Sequence, residues 1–215
     1  MMGMSPPRKT DNLQMNIYLH TIQDLVGPNG LKSILNYAHL EKYIDAFPPE
    51  NDELEIPVED LKYLYHSLID LFGSKGARSL QLRVGQQVMK YALEKLPSVL
   101  KALQLSSRIL PESKKMRLVL EKFVEESEKR WVSPFEGPHT ELQEEKDCFL
   151  IIERDCFLSE DIISQTPVCF VYVGELDYLV YWITGHRHEV KEIECRTLGH
   201  SADVFKIWKV RNEKN

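Results

Sequence analysis

From Ile17 to about Glu128 the apolar positions return every three or four residues, the period of a helix with one buried face. Ile17, Leu19, Ile22, Leu25 and Val26 predict a first helix that Gly27-Pro28 ends, and Gly30 to Tyr37 predicts a second, short one. Phe47-Pro48-Pro49 opens a polar loop that runs to Glu55. Pro57 then suits the first position of a third helix, which carries Leu61, Leu64, Tyr65, Leu68, Ile69 and Phe72 and stops at Gly73. Ser74 suits the cap of a fourth, whose stripe is Ala77, Leu80, Val84, Val88, Tyr91 and Ala92. Pro97 interrupts the pattern, a helix to about Leu105 follows, and a last one runs from Pro111 through Met116, Val119, Leu120 and Phe123. Gly85 stands inside the fourth helix, where it costs about 1 kcal/mol against alanine. Close approach of another backbone or a tolerated defect would each account for it.

Beyond Glu128 the period shortens. Arg130 to Phe135 and Cys148 to Ile152 predict strands joined by a polar loop. Glu189 to Arg196 alternates less cleanly, through Val190, Ile193 and Cys195. Val204, Ile207, Trp208 and Val210 close the chain as a last strand, after a turn at Gly199. Val168 to Thr184 has the residue types of a strand and the punctuation of a helix: Thr166 suits the cap, Pro167 the first position and Gly185 the position past the end. It is too long for an average strand, so it predicts a helix, apolar nearly all round and buried on both sides. Helices first and strands later define an α+β class. The expected architecture is N-terminal helices packed on a C-terminal antiparallel sheet of about four strands, with one buried helix between the two hairpins. Residues 1–14 read as a disordered tail, 15–128 as a helical half, and 129–215 as the sheet-containing half of the same domain.

Composition narrows the partners. A net charge of −6 with no basic stripe argues against nucleic acid; the densest basic patch, Lys114-Lys115-Met116-Arg117, reads as a solvated helix edge. The richest apolar stretch, Val168 to Ile183, contains Glu175 and Asp177, so no membrane span is expected. Met1 to Asn12 has no apolar core and predicts no signal peptide, so a cytoplasmic location is the expectation. There, Cys148, Cys156, Cys169 and Cys195 would be thiols or ligands rather than a disulfide framework.

Asp155-Cys156, Pro167-Val168-Cys169, Gly174, Glu192 to Cys195, Gly199 and Phe205 together resemble the C-terminal pattern of the 4-vinyl reductase domain family, also called hydrocarbon-binding proteins. Phe72-Gly73, Gly76-Ala77-Arg78, Arg83-Val84-Gly85 and the Pro48-Pro49 loop extend the resemblance over most of the chain, from about Asn16 to Val210. The resemblance implies a fold shared with haem-based nitric oxide sensors and with Golgi-transport subunits of the TRAPP complex, often dimeric through its helices. It also implies ligand binding more than reduction. Asp203 stands where the family usually has its last cysteine and His200 where it has aspartate. A further family cysteine is missing near Leu158 or Ser159.

Two sites follow as expectations. Cys156, Cys169 and Cys195, with His200 or Asp203 as a fourth donor, are ligand types that zinc prefers, although no Cys-x-x-Cys knuckle is present. Otherwise these cysteines pack as small core hydrophobes, and Cys148 is read that way. An apolar ligand cavity would be walled by Leu80, Val84, Val88, Tyr91, Phe170, Val173 and Trp182, with Arg83, Tyr178 or Tyr181 orienting a carboxylate. The same residues could equally fill a solid core. No phosphate loop, nucleophile elbow or His-Glu-x-x-His occurs. His186 and His188 read as structural, Glu192 and Glu194 as a solvated strand face, and Cys195 with His200 as a nucleophile pair lacking an oxyanion hole. The expected function is a non-catalytic, homodimeric module for an apolar or tetrapyrrole-like molecule. The alternatives are a TRAPP-like assembly scaffold and an accessory of pigment reduction.

Overall fold

The computed structural model describes residues 8–95, 109–130 and 137–211. Along the chain run β1 (Lys9–Thr10), α1 (Asn12–Tyr37), β2 (Ile56–Pro57), α2 (Val58–Lys95), α3 (Glu112–Arg130), β3 (Thr140–Glu144), β4 (Cys148–Glu153), α4 (Phe170–Thr184), β5 (His188–Glu194) and β6 (Asp203–Arg211). This is the α+β arrangement expected, with helices first and an antiparallel sheet of order β3-β4-β6-β5 at the C-terminal end.

The glycines expected to end helices do so. Gly27 (φ 77°, ψ 167°) and Gly73 (φ 66°, ψ 165°) leave helical geometry, so α1 and α2 are each two helical segments meeting at a kink. Pro28 is accommodated because it opens the new segment, where its missing N–H has no partner to lose. Pro57 closes β2, and α2 begins one residue later than expected.

Lys9–Thr10 pairs with Ile56–Pro57, and Asp11 caps α1 by accepting the Gln14 amide at 2.7 Å. Arg8 is tied to Asp155 at 2.8 Å. The stretch from Arg8 to Gln14, read from sequence as tail, is therefore strand and helix, held by partners far along the chain.

The sheet's outer strand is not the one anticipated. β3 falls in the polar stretch read as a loop, pairing Thr140 with Glu153 through Glu144 with Phe149. Its sequence, Thr-Glu-Leu-Gln-Glu, suits an edge, where charges discourage further pairing. Residues 131–136, expected as a strand, and the helix expected to reach Leu105 lie outside the described residues.

α4 is the buried helix, and Gly185 (φ 75°) ends it as expected. It begins at Phe170, not at Pro167, because Cys169 precedes it with a backbone amide taken by the Glu192 carboxylate of β5 at 2.9 Å. On one side α4 crosses α2 with Gly174 against Leu82 and Gly85 against Val171. Close approach, not a tolerated defect, accounts for Gly85. On the other side Tyr172 stacks on Phe205 of β6 with ring centroids 4.4 Å apart.

Glu153 is fully buried at the end of β4, where it accepts the Thr140 hydroxyl at 2.6 Å and the Asp155 amide at 2.9 Å. Burial, reinforced by Asp155 and Glu128, pushes its carboxyl up to about 7 despite those two hydrogen bonds. The folded protein thus holds this proton more tightly than the unfolded chain does. The resulting stabilisation is complete below the ordinary carboxylate range and is lost as pH rises through 7, amounting to roughly 3 kcal/mol. Glu153→Gln removes the charge while its oxygen still accepts the Asp155 amide and its NH2 donates to the Thr140 hydroxyl, reversing that bond. Its advantage over wild type in thermal melts should therefore grow from pH 5 to pH 8; a gap independent of pH would refute the assignment.

Candidate functional site

Four helices and the Phe157-Leu158 turn enclose a cavity of about 110 Å³. Val88, Met89, Val119, Phe123, Phe157, Leu158, Val171 and Leu179 give it an apolar wall, and Gln14, Tyr18, Ser127, Tyr172 and Glu175 add polar groups. The Tyr172 ring is fixed from two sides, flat on Phe205 and edge-on to Phe123 at 5.4 Å. Its hydroxyl is buried and makes no hydrogen bond at bonding distance, which is costly in a protein interior. Burial, then the charges of Glu153 and Glu175, push this phenol well above its ordinary range, and the Ser127 hydroxyl eases the shift.

Beside the cavity lies a second feature. Cys169 just before α4, Glu192 and Cys195 at the end of β5, and Asp203 opening β6 bring their donor atoms within 4.8 Å of one another, all buried. The Cys156 sulfur stands 3.8 Å from that of Cys169. Asp203 accepts the Ser159 hydroxyl at 2.7 Å and the Arg196 amide at 2.8 Å. Glu192 accepts the Cys169 amide with one oxygen, while the other is buried without a partner.

Burial raises Asp203 to about 6 and the Cys156 thiol to about 11, and drives Glu192 and Cys169 well above their ordinary values. Hydrogen bonds from Cys169, Glu192 and Thr197 move the Cys195 thiol the other way. Two thiols and two carboxyls in this compass, with one carboxylate oxygen unsatisfied, form a donor set for a four-coordinate divalent ion.

Of the metal ligands expected from sequence, Cys169, Cys195 and Asp203 meet, with Cys156 alongside. His200 does not join them: it is exposed, and its Nδ1 faces the backbone of Cys195, 3.2 Å from the nitrogen and 3.0 Å from the oxygen. That contact also removes the Cys195–His200 nucleophile pair. Glu192 was misread as solvated. Glu192 follows His188 and Val190 inward by the strand's alternation, and the register shift after it leaves Glu194 exposed, so the two glutamates do not share a face.

Tyr65 of α2 was read only as stripe. Burial, then Cys169, Cys156 and Glu192, push its phenol well up, which sets it beside the cluster, and its hydroxyl has no partner.

Among the residues expected to wall a cavity, Val88 lines this one. Val84 and Val173 are buried elsewhere in the core, and Leu80, Tyr178 and Trp182 pack partly buried against it. Phe170 lies beneath the Arg78 guanidinium at 5.0 Å, and Tyr91 donates to Glu50 at 2.6 Å. Arg83 and Tyr181 are exposed, Tyr181 under Arg187. The actual wall uses the next positions on the same helices, Met89 on α2 and Val171 and Tyr172 on α4, together with α1 and α3. His188 is structural, with Nδ1 2.9 Å from the Trp208 carbonyl and Nε2 2.9 Å from Glu112. Cys148 packs in β4 as expected, fully buried.

No family model matches the chain, and neither does any curated protein. Solved structures share its fold. An H-NOX protein from K. algicida, an Fe(II) unliganded mutant, aligns at TM-score 0.61 and 13% identity over 95% of this chain and 97% of its own. The Cs H-NOX protein carrying 4-cyano-L-phenylalanine aligns at TM-score 0.58 and 14% identity, covering 95% of this chain and 100% of its own. The phenol-responsive sensory domain of the transcription activator PoxR, with phenol, aligns at TM-score 0.51 and 15% identity over 75% of this chain and 79% of its own. These likenesses show a shared α+β fold. Among the described residues no helix is long and apolar enough to cross a membrane.

Proposed function

We propose that this chain is a non-catalytic module that binds one small aromatic or apolar molecule in the cavity between its helices and passes on its occupancy to a partner. The cavity carries this reading: about 110 Å³ is close to the ~150 Å³ apolar cavity that takes benzene, so it suits one ring. The phenol-responsive neighbour supports the same ligand class.

Haem, as in the H-NOX neighbours, does not fit. A tetrapyrrole spans several such rings, and the described lining residues include no histidine or cysteine for iron. Tetrapyrrole binding in this cavity is set aside for that reason. The resemblance to the 4-vinyl reductase family is supported only by residue pattern, of which Cys169 and Cys195 lie in the buried cluster with Cys156 alongside.

Calorimetry with phenol and toluene tests the reading. Phenol should bind more tightly, because its hydroxyl can satisfy that of Tyr172, and Tyr172→Phe should weaken phenol by about tenfold while leaving toluene unchanged. Binding of neither compound refutes the cavity reading. Equal binding of both to wild type refutes the part given to Tyr172.

A second reading concerns the cluster. Cys169, Glu192, Cys195 and Asp203 would hold zinc, supported by the partnerless Glu192 oxygen and by the sulfur and oxygen donors gathered there. When bound, the ion would supply a structural cross-link between β5, β6 and the start of α4.

A further inference from the structure

We propose that the cluster and the cavity are linked, so that a divalent metal on the cluster raises the cavity's affinity for its aromatic ligand. This rests on both readings above. Three chain segments run directly from one to the other. Cys156 is followed by Phe157 and Leu158, which form part of the wall. Cys169 is followed, one residue on, by Val171 and Tyr172, also in the wall. Asp203 is followed at Phe205 by the ring on which Tyr172 lies.

The distances give the motion a size. Donors around four-coordinate zinc stand roughly 3.3–3.8 Å apart, given bonds of about 2.0–2.3 Å. The four donors here spread to 4.8 Å, so taking up an ion draws them inward by up to about an ångström. Cys169 abuts α4 and Asp203 opens β6, so this contraction moves Val171, Tyr172 and Phe205 with it. A close-packed wall around a single-ring space responds to shifts of that size. The coupling is reciprocal: whatever factor zinc adds to ligand affinity, the ligand adds to zinc affinity.

The test uses zinc and phenol on the full chain. Calorimetry should give phenol about tenfold higher affinity for zinc-loaded than for metal-free protein, and saturating phenol should raise zinc affinity in chelator competition by the same factor. Phe205→Leu, which removes the stack, should shrink that factor while zinc still binds. Equal phenol affinity with and without zinc overturns the proposal. Should the metal-free chain not fold, cobalt(II) replaces zinc: phenol should shift the cobalt absorption bands, and unchanged bands overturn the link. Failure of zinc to bind would instead sink the cluster reading, and failure of phenol to bind in either form the cavity reading, each taking the link with it.

Discussion

Gly85→Ala is expected to cost about 3 kcal/mol or more, although alanine is the better helix former by about 1 kcal/mol. A Cβ at Gly85 would stand 1.9 Å from the Val171 carbonyl oxygen and 2.9 Å from the Glu175 nitrogen. Its counterpart at Gly174 would stand 2.2 Å from the Leu82 oxygen. These obstacles are helix backbone, which cannot rotate aside as a side chain can, so the methyl is accommodated only if α2 and α4 separate. Separation would also displace Val171, Tyr172 and Cys169, which wall the cavity and hold the cluster. Thermal denaturation should show a melting temperature lower by roughly 6–12 °C for a chain of this size. A melting temperature within a degree of wild type would show that the crossing has room to spare.

Zinc is expected to have an effect of similar size. Metal-free protein given zinc at a thousandfold excess over its dissociation constant should gain about 4 kcal/mol, seen as a rise in melting temperature of the order of 10 °C. Cys169→Ser combined with Cys195→Ser should abolish both the rise and the bound metal, because it removes both thiolates from the donor set. Cys148→Ser is the control: that thiol sits in β4 near Glu145, away from the cluster, and its loss should leave zinc binding intact. A melting temperature indifferent to zinc in wild type, or a zinc response that survives the double substitution, would refute the metal reading. Elemental analysis of the same samples distinguishes lost binding from lost folding.

The order of elements was open to inspection in the chain itself. Leu61, Leu64, Tyr65 and Leu68 repeat at helical spacing because one face of α2 is buried along its length, and such periodicity is local information. Gly185 marked the end of α4 for the same reason, since a left-handed residue is needed there whatever surrounds it. Gly85 announced that something unusual happens at its position. Three of the cluster's donors were named from residue type alone, because few other side chains bind metals well.

What the chain could not disclose depends on partners distant in sequence. β3 is a strand because β4 offers it an edge, not because its own residues favour one. Gly27 and Gly73 end helical segments as the chain announced, but that the next segment starts at once on the other side of the kink depends on the buried faces it has to fill. Glu192 and Glu194 face opposite ways because of a register shift between β5 and β6, which only the pairing of the two strands creates. The cavity is the plainest case: Val88 has the same period whether its face meets a neighbour or a space. Whether four helices leave room for one aromatic ring depends on how their axes cross, and the crossing is set by two glycines, Gly85 and Gly174, brought together only by the fold.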